Sequence, residues 1–108
     1  MAIPHAPSGQ VVQLLAGHPP QTRTLLKTDT LEVIRMVLPA GKEIREHKAK
    51  GDITVQCLEG RIDFQVAGEP RDLTPGAFLY LDTGAPHALK ALDDSVLLLT
   101  IALAPKSP

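Results

Sequence analysis

Turn punctuation constrains this chain more than any other feature of its sequence. Pro39-Ala40-Gly41, Gly51-Asp52, Glu59-Gly60, Gly68-Glu69-Pro70, Pro75-Gly76, Thr83-Gly84 and Asp93-Asp94 follow one another at short, regular spacing. Glycine supplies positive φ and proline fixes its own φ, so each cluster is a place where the backbone reverses and where a helix would be broken. Intervals of about eight to ten residues leave room for strands of ordinary length and little else. The expectation is an all-β fold.

The segments between the turns carry strand patterns. Arg61 to Val66 alternates polar and apolar residues strictly, as a half-buried strand does. Ile53, Val55 and Cys57 share one face of the preceding run and Thr54, Gln56 and Leu58 the other, with Glu59-Gly60 as the hairpin turn. Leu31 to Leu38 and Ser95 to Leu103 are apolar on both faces, where periodicity alone does not separate strand from buried helix. Their β-branched residues, Val33, Ile34, Val37, Val96, Thr100 and Ile101, favour strand. A strand apolar on both faces needs cover on both, which a small barrel supplies inside and a second subunit supplies outside. A homodimer is therefore expected. Val11 to Leu15 and Thr24 to Lys27 are weaker strand candidates in the N-terminal segment.

A chain of 108 residues fits one domain with one core. The expected division is an N-terminal arm over residues 1–20, a barrel over 21–104 and a short tail over 105–108. Cys57 is the only cysteine, so no intramolecular disulfide is available, which suits a reducing, cytoplasmic location. Eleven Lys and Arg nearly balance twelve Asp and Glu, and the formal charge of -1 leaves no electrostatic footprint for nucleic acid. The longest apolar stretch, Val96 to Ala104, is about half the roughly 20 residues that a membrane-spanning helix requires. Met1 to Gln10 lacks the basic and apolar regions of a secretion signal. No phosphate-cradling glycine loop, nucleophile elbow or CxxC pair occurs.

Two segments resemble the motifs of the cupin superfamily, and in particular its small single-domain members. Gly41 through His47, running on to Glu59-Gly60, is similar to the first motif: a glycine, five residues, a histidine, and a closing glycine after the next strand. Pro75-Gly76 through Gly84-Ala85-Pro86-His87 is similar to the second. The resemblance implies a jelly-roll barrel, a double-stranded β-helix, with His47 and His87 at family metal-ligand positions facing a shared interior. It also implies departures. The family carries a second histidine where this chain has Ala49, an acidic residue, histidine or glutamine near Ile53, proline at Asp82 and asparagine at Ala91.

Those departures bear on the chemistry. Catalytic zinc takes three protein ligands and non-haem iron two histidines with a carboxylate, so His47 and His87 alone fall short. Glu46, next to His47 on an extended strand, faces the other way, Asp52 serves only if a bulge turns it inward, and Cys57 among apolar neighbours favours the neutral thiol. His5 and His18 lie beside prolines in poorly patterned segments and read as surface residues, His18 on an arm able to reach a partner's pocket. The mixed-charge run Lys42 to Lys50 reads as a solvated edge. The expected function is a cupin whose pocket, lined by Ile53, Val55, Cys57, Phe64 and Tyr80, binds a small organic molecule or a divalent metal (Zn, Fe, Mn, Ni or Cu) through His47 and His87. The alternatives are a metal-dependent dioxygenase, isomerase or decarboxylase acting on a small carbonyl or carboxylate compound, and a structural or sensory domain acting through its dimer surface.

Overall fold

A computed structural model describes residues 5–103. The expected tail over 105–108 and the first four residues of the arm lie outside that range. Nine strands follow in order: β1 (Arg23–Lys27), β2 (Leu31–Leu38), β3 (Glu43–His47), β4 (Ile53–Glu59), β5 (Ile62–Val66), β6 (Glu69–Leu73), β7 (Phe78–Leu81), β8 (His87–Ala91) and β9 (Ser95–Ala102). No helix occurs among the described residues, and none is long and apolar enough to cross a membrane.

The strands form two antiparallel sheets, one ordered β1-β2-β9-β4-β7 and the other β3-β8-β5-β6. They pack face to face as a jelly-roll barrel. The alternation read in Ile53 to Glu59 is present in the burial, since Ile53, Val55 and Cys57 are buried and the residues between them less so. The opposite sheet contributes Ile62, Phe64 and Leu89, and Phe64 is the largest side chain to be wholly enclosed. Complete burial of a side chain of this kind stabilises the fold by about 1.5–3 kcal/mol.

Two expectations required correction. Val11 to Leu15 form no strand; the arm is irregular here and is tied to β1 by Ala6 N–H to Leu25 O (2.8 Å) and to β2 by Arg35 Nε–H to Leu14 O (2.8 Å). A prolined arm of this kind, with Pro7, Pro19 and Pro20, lacks the uninterrupted donors that a ladder needs. The turn read at Gly68-Glu69-Pro70 is also displaced. It falls on Ala67-Gly68, and Glu69 and Pro70 belong to β6. Pro70 is tolerated there because β6 is the edge of its sheet.

That hairpin links Val66 to its cross-strand partner Glu69 through two residues with positive φ, Ala67 at 51° and Gly68 at 82°. Paired positive φ values define the I′ turn, whose twist matches that of the strands it joins. Ala67 is the only non-glycine residue with positive φ among those described. A Cβ in this region costs about 1–2 kcal/mol, and asparagine tolerates it better than alanine. Ala67→Asn is therefore expected to raise stability by about 0.5–1 kcal/mol, read as a higher urea midpoint with an unchanged m-value. An equal or lower midpoint would show that the turn is not strained.

Candidate functional site

His47 closes β3 and His87 opens β8, and the two are direct register partners across that ladder. Their ring centroids lie 4.2 Å apart at an interplanar angle of 60°. The pairing depends on a local irregularity. Ile44 and His47 are three residues apart, a spacing that sends side chains to opposite faces of a regular strand. The register shifts between them, and a bulge of this type re-aims side chains, so both residues line the same interior cavity.

The two imidazoles are held in the same way. His47 Nδ1 lies 2.9 Å from Arg45 O, and His87 Nδ1 lies 2.9 Å from Ala85 O. A carbonyl only accepts, so each Nδ1 carries a proton and donates, which in the neutral ring leaves Nε2 with its lone pair. That is the tautomer which ligating histidines adopt when a second hydrogen bond orients them. Solvation differs between the rings. His47 is exposed at the mouth, whereas His87 is only 5% exposed and stacks on Phe64 at 5.7 Å with rings 7° from parallel. Burial pushes the His87 pKa down; the hydrogen bond to Ala85 opposes this and the neighbouring His47 charge adds to it.

The cavity behind the pair is small, about 40 Å³, and is lined by Ile44, His47, Ile53, Val55, Phe64 and His87, with Met36, Leu89, Leu97 and Leu99 from the adjoining strands. Of the expected pocket residues, Ile53, Val55 and Phe64 line it. Cys57 does not. It is completely buried further along β4, its thiol donates to Glu59 O at 3.4 Å, and burial pushes its pKa up. Tyr80 also lies elsewhere. It pairs with Thr54, which belongs to the outward face of β4, and is 54% exposed, with the carboxylates of Asp82 and Asp52 beside its hydroxyl.

The remaining ligand candidates are not brought to the pair. Asp52 Oδ1 accepts from Thr83 N–H (2.9 Å) and Thr83 Oγ1–H (2.8 Å), and so pins a loop. Glu46 is exposed. His18 is partly buried in the arm, with Nε2 on Gln13 O and Nδ1 3.2 Å from Arg23 Nη1, while His5 is exposed. Among the described residues, no three His, Cys, Asp or Glu side chains come together in a group able to hold a metal ion. Met36, Leu97 and Leu99 were not singled out from sequence because their strands are apolar on both faces; the signal was the register of β2 with β9, which pairs Met36 with Leu97.

Two short antiparallel sheets closed around a paired-histidine mouth define a small single-domain barrel of the jelly-roll class. Residues 34–102 match the Cupin domain family, and the chain belongs to it. The fold is similar to a conserved protein of unknown function from Streptococcus pyogenes, with a TM-score of 0.79 and 25% identity over 98% of this chain and 97% of that one. A cupin superfamily protein from Desulfitobacterium hafniense superposes with a TM-score of 0.77 and 16% identity over 96% and 100%. A salicylate 1,2-dioxygenase from Pseudaminobacter salicylatoxidans gives 0.65 and 25% over 68% of this chain and 21% of that one. No curated protein matches the chain.

The lowered His87 pKa makes a prediction with a definite sign. Its folded value lies below the ordinary 6.5, so the unfolded chain takes up the proton more readily. The stability this contributes is complete above that ordinary value and is lost as pH falls through the folded one. Urea midpoints are expected to drop between about pH 7.5 and pH 5, and the drop should be shallower in His87→Gln. Parallel pH profiles for the two proteins would refute the assignment.

Proposed function

We propose that this cupin domain binds a small ligand at the mouth of its barrel, recognised by Nε2 of His47 and His87, and that the same atoms hold a divalent cation (Zn, Fe, Mn, Ni or Cu) weakly. The carrying observation is the pair itself: two imidazoles with both Nδ1 atoms committed to backbone carbonyls and both Nε2 lone pairs spared, in front of an apolar cavity. Polar groups converging on apolar surroundings are the ordinary composition of a ligand site.

Size sets where the ligand sits. Pockets for organic ligands enclose roughly 300–1,000 Å³, whereas about 40 Å³ accommodates a water molecule or an ion. A larger molecule must rest at the open end beside exposed His47 and reach inward to His87 with a single polar group. The donor set does not fit a resident catalytic metal, since the usual protein complement is three and the described residues bring two. A cation here takes its other donors from water or from the organic ligand, and no catalytic step is derived from it.

The protein is further proposed to act as a homodimer in a reducing, cytoplasmic setting. The support is the outer face of the larger sheet, where Phe78 and Tyr80 are exposed on edge strand β7, across Gln56 and Thr54 of β4 from partly exposed Leu98 of β9. Large apolar side chains left exposed on a sheet face mark association sites.

Metal titration followed by calorimetry tests the site. Wild type is expected to bind Ni²⁺ or Zn²⁺ at one weak site, and the His47→Ala/His87→Ala double variant to bind at least about tenfold more weakly; equal metal content in the two proteins would sink the reading. Sedimentation equilibrium tests the dimer: Phe78→Glu is expected to shift the population towards monomer, and a monomeric wild type at high concentration would remove this part of the proposal.

A further inference from the structure

The larger cleft in this protein is not in the barrel. It lies between the arm and the outer face of β2 and β9, has a volume of about 490 Å³, and is walled by Leu15, Pro19, Pro20, Val37 and Val96 with Arg35 among them. That volume is ordinary for an organic ligand. Arg35 is the unusual member. It is only 6% exposed, and its Nε–H donates to Leu14 O at 2.8 Å. Among the described residues, no carboxylate lies within 4.0 Å of its guanidinium, although the ion pairs Arg61–Asp72, Arg71–Glu69 and Lys90–Glu43 form elsewhere.

A second positive charge aggravates the imbalance. Arg23 is the register partner of Arg35 across β1 and β2, and its own Nε is buried with no hydrogen-bond partner among the described residues. Like charges directly opposite across a ladder are destabilising, and a buried charge without a counter-charge costs more than an exposed one. His18 relieves part of this, with Nδ1 near Arg23 Nη1, but it brings no negative charge. An anion seated in the cleft would supply the missing partner.

We infer that the cleft under the arm is a binding site for a small organic monocarboxylate with an apolar body, its carboxylate held by the Arg35 guanidinium. The walls select the class. Leucine, valine and proline side chains suit a hydrocarbon body, and the planar guanidinium fork matches a carboxylate. Glu59 and Asp94 also border the cleft, Asp94 Oδ1 accepting from Ala40 N–H at 2.8 Å, and their charge disfavours a doubly charged phosphate more than a monoanion. This site is separate from the histidine pair, since the two cavities share no lining residue.

Calorimetric titration of the full chain with sodium hexanoate, hexan-1-ol and inorganic phosphate tests it. Hexanoate is expected to bind, hexanol and phosphate to bind at least about tenfold more weakly, and Arg35→Met to weaken hexanoate by about tenfold or more, the range of a charge-assisted pair. Leu15→Glu, a change at an exposed arm position that lines the cleft, should set a negative charge against the bound carboxylate and weaken hexanoate, and it carries the test if Arg35→Met fails to fold by circular dichroism. His87→Ala should bind hexanoate as wild type does. The inference is overturned if wild type does not bind hexanoate, if hexanol or phosphate binds equally well, if a folded Arg35→Met or, where that variant does not fold, Leu15→Glu retains full affinity, or if binding is lost in a folded His87→Ala.

Discussion

Strand β9 is the element on which the rest of the molecule depends. It is paired along its whole length with β2 on one side and from Val96 to Ile101 with β4 on the other, so it occupies the middle of the larger sheet. Alternation then divides its side chains between two functions. Leu97 and Leu99 face the barrel and close the cavity behind the histidines, while Val96 faces outward and floors the cleft under the arm. A one-residue slip of β9 would exchange these sets and remove both sites together. Gly60 and Ser95 help to fix the register at one end. Ser95 Oγ accepts from Arg61 N–H at 3.0 Å, and a Cβ on Gly60 would stand 2.2 Å from that same oxygen.

The both-face hydrophobicity of β2 and β9 is met in part within the chain itself. Cover on the outer side need not come only from a second subunit, because the chain's own arm lies over Arg35, Val37 and Val96. An irregular segment is able to do this where a strand could not: its prolines forgo ladder donors, and its carbonyls remain free to accept from side chains, as Leu14 O does from Arg35. The outer face is thereby divided into a portion covered by the arm and an open, mixed portion in which Phe78 and Tyr80 are exposed beside Gln56 and Thr54.

Most of the fold was legible from local chemistry. Turn residues at regular intervals specify strand lengths, and the buried set Ile53, Val55 and Cys57 follows from period-two alternation alone. Less of the site was legible, for identifiable reasons. Tyr80 belongs to a short strand, Phe78 to Leu81, in which every residue is apolar, so its face is decided by pairing with Thr54 and not by pattern. The inward turn of His47 rests on a bulge whose position no residue type announces. Arg35 stands in the middle of an apolar strand, where a lone charge reads as a solvated exception; its burial comes from an arm that contacts it from 21 residues away. Long-range cover of this kind leaves no trace in periodicity.

The two histidines also illustrate why a shared motif position does not guarantee a shared chemistry. Proton and metal ion compete for the same Nε2 lone pair, and burial that disfavours the protonated His87 favours a free lone pair. The same burial withholds donors beyond His47, because Phe64, Leu89 and Ile44, which line the cavity with His87, supply none. With Ala49 where the family has a histidine and Ile53 buried where it has a polar ligand, the wall that would complete a coordination sphere is apolar. Desolvation therefore prepares one nitrogen well while removing its partners. This is why the proposed ligand is a hydrogen-bond donor or a partly solvated cation at the mouth and not a permanent metal centre in the interior.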